Sequence, residues 1–287
     1  MAADGLTDRA TVRRLLLDAG VRPSKRLGQN FLVDGAAVDA IARVAADAKP
    51  TRIVEIGAGL GAVTRALAPL APEVVAIELD RRLADVLEQT VSDLDSVSVW
   101  RGDILDYAFE GSGNRGTIVV GSLPYASTAA ILQHLVAHRG AISTAVVLTQ
   151  REVAEKIAAS PGQAGSALGV LVRAYADVEI HRAVGRGSFH PVPDVDSLLW
   201  AIRFLDRPRF EAESDTFFAV VRTIYGVRRK MLRVALRALA SRETVAEVLD
   251  RAGVEGTDRG ETLGFDALDR LARAFEGVEI LSGTEKS

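Results

Sequence analysis

From residue 52 to about residue 204, short runs of β-branched and other apolar residues alternate with stretches whose apolar positions recur every three or four residues. The runs lie at 52–56, 73–79, 96–100, 117–121 and 145–149, with a weaker one near 178–183 and another at 198–204. A buried strand is apolar along its length and a surface helix along one face, so this rhythm predicts βα repeats around a mostly parallel sheet. Helix ends are legible as well: Asp34 stands before 35–48 as an N-cap with Pro50 beyond, and Ser127 or Thr128 opens a helix to about His138, followed by Gly140. The fold class is α/β, doubly wound and Rossmann-like.

After Phe204 the rhythm changes. Asp206-Arg207-Pro208 breaks the chain, and helices are predicted near 215–225, 229–239, 242–252 and 265–275, separated by Gly226, Gly253 and Gly256. The expected organisation is an α/β domain over 1–205 and a small α-helical domain over 206–287. There is no internal repeat, and Gly111-Ser112-Gly113-Asn114 reads as a plain loop.

Composition narrows the function classes. The 287 residues are 48% hydrophobic and 25% charged, enough to bury a core. Cysteine is absent, which excludes disulfides, thiolate metal sites and cysteine nucleophiles; the histidines number only four, so no metal is expected. Residues 1–20 lack the apolar core of a signal peptide, and no run approaches a membrane span, so a cytoplasmic protein is expected.

Chemistry concentrates in three ordered stretches. Gly57-Ala58-Gly59-Leu60-Gly61 follows the first strand of the repeat and precedes a helix-like 62–70. Such a loop turns tightly and lets a ligand lie against the peptide plane. Glu78, at the end of the next strand, can accept hydrogen bonds from two ribose hydroxyls, in either an NAD or an S-adenosylmethionine site. Gly102-Asp103 after the third strand favours the latter, because a carboxylate there can accept from the exocyclic amine of adenine. The alternatives are a ligand-free glycine turn and an ordinary capping role for Asp103; Glu55, before the glycines, adds weight against both.

Ser122-Leu123-Pro124-Tyr125 ends the strand at 117–121, where α/β sheets bind ligands. It fits the (Asp/Asn/Ser)-x-Pro-(Tyr/Phe) pattern of exocyclic-amine methyltransferases. An adenine N6 is a poor nucleophile because its lone pair is delocalised, so acceptors must hold its N–H groups: the Ser122 side chain and the carbonyl of Leu123 or Pro124 can do so. Pro124 fixes the turn, and Tyr125 can stack on the base. A turn with a packing aromatic is the alternative.

These residues together resemble the ribosomal RNA adenine dimethyltransferases of the KsgA type, over most of the chain. Lys25-Arg26-Leu27-Gly28-Gln29-Asn30-Phe31-Leu32 is similar to that family's N-terminal motif, which implies that Asn30 and Leu32 touch S-adenosylmethionine with Gly57, Gly59, Glu78, Asp103 and Ser122. The stretches 150–154 and 160–162 match a middle segment. Ser188-Phe189-His190-Pro191-Val192-Pro193-Asp194-Val195-Asp196-Ser197 resembles F-x-P-x-P-x-V-D-S, which implies that Phe189 stacks on the target base opposite Tyr125. Arg228-Arg229-Lys230-Met231-Leu232 matches the R-R-K-x-L of the helical domain. These last two favour this branch over Erm-type enzymes acting on 23S rRNA. The resemblance implies a monomer that dimethylates N6 of two adjacent adenosines near the 3′ end of 16S rRNA in a pre-30S particle. One departure stands out: Ser122 and Ala126 replace two asparagines usual in the family, which leaves open an assembly factor with weak or no catalysis.

The net charge of −3 and pI near 5.9 are unusual for an RNA enzyme, but 222–237 holds Arg222, Arg228, Arg229, Lys230, Arg233 and Arg237 with no acidic residue. This cluster is the candidate RNA-binding face; a solvated basic helix face is the alternative.

Overall fold

The computed structural model describes residues 3–24, 28–109, 116–124, 126–159, 162, 165–227 and 229–279. Tyr125, Arg228, Lys25, Arg26, Leu27, the 111–114 loop and the 160–161 pair of the sequence reading lie outside them. Two compact units are present, Met1–Ala154 with Asp177–Phe204, and Glu155–Ala176 with Leu205–Ser287.

The strands are β1 Phe31–Leu32, β2 Arg52–Ile56, β3 Val74–Glu78, β4 Val97–Arg101, β5 Thr117–Ser122, β6 Ile142–Gln150, β7 Ala176–Val184, β8 Phe189–His190 and β9 Ser197–Phe204. The main sheet of the first unit has the order β4-β3-β2-β5-β6-β9-β7. Pairing is parallel from β4 to β6, and β9 runs antiparallel to β6. The strand order reverses between β2 and β5, so the loops leaving these two strands flank a crevice at the carboxyl edge. Gly121 permits their close approach, since a Cβ there would lie 2.8 Å from the Ile56 carbonyl oxygen.

The helices of this unit are α1 Ala3–Leu6, α2 Arg9–Asp18, α3 Gly35–Asp47, α4 Ala62–Leu67, α5 Arg81–Thr90 and α6 Thr128–Ala137. Asp34 caps α3 as expected, its side chain accepting from Ala37 N–H. One face of α3 (Val38, Ile41, Ala45) packs with Ile53, Ile118, Val120, Val146 and Leu148 of the central strands. Because the core strands are covered on both faces they read as unbroken apolar runs. Glu55, 2% exposed in the middle of β2, breaks that pattern.

The remaining helices are α7 Arg151–Ala158, α8 Ala167–Tyr175, α9 Ser214–Gly226, α10 Leu232–Ala235, α11 Arg242–Ala252 and α12 Phe265–Phe275. In the second unit Phe210 stacks on Phe217 at 4.2 Å between centroids, with Tyr175 edge-on to Phe210. Buried Asp269 accepts from Glu211 and Ala212 N–H at 2.7 and 2.9 Å, anchoring the entering chain. Tyr175 and the Arg209 contact with the Ala176 carbonyl tie 155–176 to this unit. The α/β domain expected over 1–205 thus cedes that segment to the helices.

The helix expected at 229–239 is shorter. It begins only at Leu232, after an extended Met231, because Leu232 and Arg233 donate N–H to the Asp258 and Gly256 carbonyls instead of continuing α9. Among the described residues no helix is long and apolar enough to cross a membrane.

Candidate active site

A cleft opens at the carboxyl ends of β2 to β5, lined by Asn30, Phe31, Leu32, Glu55, Gly57, Gly59, Glu78, Leu79, Asp80, Asp103, Ile104, Ser122 and Pro124 among others. The structure therefore brings the seven expected cofactor residues to one cavity.

The glycine loop is held by its backbone. Gly57 and Ala58 donate to the Ile77 carbonyl at 2.9 and 3.0 Å, and Gly59 donates to Glu78 Oε2 at 2.9 Å. Gly59 has φ +59°, and a Cβ there would meet the Phe31 ring at 3.3 Å, so conformation and space both require glycine. Glu78 is 6% exposed, and its Oε1 accepts from Asp80 N–H at 2.9 Å. Burial raises its pKa against the lowering effect of those two N–H groups. Asp80 in turn caps α5, and Gln29 links it to the N-terminal segment, donating to Asp80 Oδ2 at 3.4 Å while accepting from Ser24 N–H.

Asp103 has the capping role weighed in the sequence and a place in the cleft. Its Oδ1 caps the following turn by accepting from Leu105 N–H at 3.0 Å, and the residue also lines the cleft. The turn is clasped from α6, where His134 Nε2 meets the Tyr107 carbonyl at 3.3 Å and therefore carries the proton. His138 lies tilted against His134 at 4.2 Å between ring centroids, and burial lowers the His134 pKa, which favours the neutral ring.

Glu55 Oε2 is buried without a hydrogen-bond partner among the described residues. Burial lifts this carboxyl to about 7; the nearby Thr64 hydroxyl holds it down in part and the Glu78 charge adds to the rise. Among the described residues four acids line the cleft and no Lys, Arg or His does. A pyrophosphate would be repelled there, whereas a ligand bearing positive charge, hydroxyls and an amine is matched.

On the acceptor side Ser122 ends β5 with an exposed side chain. Leu123 is buried and its N–H goes to the Leu148 carbonyl at 2.9 Å. Of the two carbonyls considered as amine acceptors, that of Pro124 is already engaged by Ser127 N–H at 3.1 Å and the Thr128 hydroxyl at 2.9 Å. The Leu123 carbonyl is the remaining candidate.

The stacking role expected of Phe189 is not met in this structure. Its ring is 2% exposed inside the core with Leu32, Ile41 and Leu148, because β8 pairs with β1 and turns the ring inward. The pairing is reinforced by Val33 N–H to the Ser188 carbonyl at 2.7 Å and the Ser188 hydroxyl to Asp34 Oδ2 at 2.6 Å. Segment 188–189 therefore braces the strand that carries Leu32.

In the second unit Arg222, Arg229, Lys230 and Arg233 are exposed, spread over α9, the following turn and α10. Sequence reasoning missed Gln29, Phe31, Leu79 and His134. Phe31 sat inside a recognised motif, but nothing local marks His134, whose partner is 27 residues away.

The family model described as ribosomal RNA adenine dimethylase matches residues 21–269. Ribosomal RNA small subunit methyltransferase A of Thermobifida fusca is 40% identical over 92% of this chain and 94% of its own length. The protein of the same name from Moorella thermoacetica is 38% identical over 91% and 96%. Among solved structures, the 23S rRNA methyltransferase ErmE matches with TM-score 0.69 and 29% identity over 86% of this chain and all of its own. A Plasmodium falciparum dimethyladenosine transferase shares the fold, with TM-score 0.74 and 22% identity over 85% and 97%.

Proposed function

The chain belongs to the ribosomal RNA adenine dimethylase family, and from that premise we propose that it methylates N6 of two adjacent adenosines near the 3′ end of 16S rRNA, twice each, on a pre-30S particle. It acts as a cytoplasmic monomer. The observation that carries this reading is the acid-lined cleft joined to a Ser-Leu-Pro turn at the switch point of the sheet.

Bound S-adenosylmethionine supplies an electrophilic sulfonium methyl group. The residues present fit it. Glu78 would hold the ribose hydroxyls, Asp103 the adenine amine, and Glu55 a positively charged end, which its orphaned Oε2 in the acid-lined cleft supports. Asn30, Leu32, Gly57 and Gly59 would form the walls.

The Ser122 hydroxyl and the Leu123 carbonyl accept the two N–H groups of the target amine, which orients its lone pair and favours a pyramidal nitrogen. Placement, more than a strong base, then sets the rate, since the cationic amine product loses its proton readily to solvent. Tyr125 stacks on the base. Arg222, Arg228, Arg229, Lys230 and Arg233 neutralise RNA phosphates.

The test is to incubate the protein with labelled S-adenosylmethionine and small-subunit particles lacking the modification, then identify the labelled nucleoside. N6,N6-dimethyladenosine in 16S rRNA is the expected product. Label in 23S rRNA would favour the reading that the ErmE likeness suggests, and cofactor binding without label would favour an assembly factor.

A further inference from the structure

The second unit contains a cleft of about 760 Å³ lined by Arg237 and Arg242, with Arg233, Asp250 and Glu255 in the same wall. Its floor is apolar, with Val245, Leu249 and Val254 buried beneath it. Among the described residues none of the five charged side chains is ion-paired.

Unpaired charges of both signs in one small cleft are kept apart by the scaffold. Arg242 opens α11 and Asp250 lies eight residues on, about 12 Å along the axis at roughly 1.5 Å per residue. Arg237 belongs to the short turn before α11, and Glu255 follows its Gly253 cap. One end is therefore cationic and the other acidic, apart from Arg233, whose N–H meets the Gly256 carbonyl at 3.0 Å.

We infer that this cleft takes one unstacked nucleotide of single-stranded RNA, separate from the adenosines that receive methyl groups. Its phosphate lies on Arg237 and Arg242, its base lies against Val234, the exposed apolar residue of the lining, above the buried Val245 and Leu249, and an exocyclic amino group donates to Asp250 or Glu255. Each part matches a chemical demand: arginine for phosphate, an apolar floor for a base face, carboxylate for a base amine. The inference rests on the rRNA-substrate reading and adds a base preference, since uracil carries no amino group.

The experiment measures binding of wild type, Arg237→Glu/Arg242→Glu and Asp250→Asn/Glu255→Gln to unmethylated small-subunit particles at several salt concentrations, and to short oligo(C), oligo(A) and oligo(U). S-adenosylmethionine binding by each variant reports that the chain is folded. The arginine variant is expected to lose about 10-fold or more in particle affinity and about one to two units of salt slope. The acid variant is expected to lose the preference of wild type for oligo(C) and oligo(A) over oligo(U). Unchanged particle affinity and slope, absence of base preference in wild type, or loss of particle binding with no oligonucleotide binding at all would overturn the inference, the last by pointing to a ribosomal protein. Wild type that binds particles through this cleft yet leaves them unmethylated would overturn the enzyme reading while supporting the cleft.

Discussion

Gly59 donates its backbone N–H to Glu78 Oε2 at 2.9 Å, which joins the glycine loop after β2 to the carboxylate at the end of β3. The carboxylate proposed to read the ribose also shapes the loop it works with. Glu78→Ala leaves the Gly59 and Asp80 N–H groups without their partner, at about 1–3 kcal/mol for each that stays dry. The expected result is a lower melting temperature and at least about a 10-fold weaker S-adenosylmethionine Kd, by calorimetry.

Glu55 makes stability pH-dependent in a defined direction. Its folded pKa of about 7 lies above its ordinary 4.5, so between these values the native state retains a proton that the unfolded state has lost. Stability therefore falls as pH rises through that window, by about 3 kcal/mol from this group, and Glu78 contributes in the same direction. Urea denaturation of Glu55→Gln without ligand should show a smaller loss between pH 5 and pH 8 than wild type. An equal loss would mean that Glu55 is not the group titrating.

Ser122 is the departure most directly tied to rate. Ser122→Ala should lower kcat about 10²-fold with cofactor affinity little changed, because the lost acceptor acts on the amine. Ser122→Asn should retain or raise turnover. Single-turnover methylation of particles reads both, and loss of cofactor binding together with methylation in Ser122→Asn would remove the assigned role.

His134 positions Asp103 through the Tyr107 carbonyl, so its loss should act on the cofactor rather than on the target amine. His134→Leu is expected to raise KM for S-adenosylmethionine several-fold at nearly constant kcat. His134→Gln, which keeps a donor, should recover most of that. Equal defects in both variants would assign the residue to packing alone.

Phe189 belongs to the core, so Phe189→Ala should cost about 3–5 kcal/mol of folding stability. Chemical denaturation measures it. A variant as stable as wild type would return the ring to the surface and revive its stacking role.

Much of the site was legible because its residues follow strand ends. In a parallel sheet every carboxyl end faces the same edge, so Gly57, Glu78, Asp103 and Ser122, far apart in the chain, converge once the runs before them are read as strands. Phe189 misled because F-x-P-x-P conveys composition and spacing but not which side of a two-residue pairing with β1 the ring takes. The 229–239 helix misled because helical propensity there yields to hydrogen bonds donated to the distant 256–258 turn.

The sequence by itself determined the α/β class, the order of the central elements and which residues after the strand ends meet in the cleft, since periodicity and glycine placement are local properties of the chain. Tertiary structure alone decided which carbonyl of the Ser-Leu-Pro turn remains open, that Glu55 is driven toward neutrality, that 155–176 joins the helical unit, and that Arg237 and Arg242 share a cleft with Asp250 and Glu255. Each of these depends on which groups are desolvated or brought together by packing between segments remote in sequence, and no local pattern encodes that.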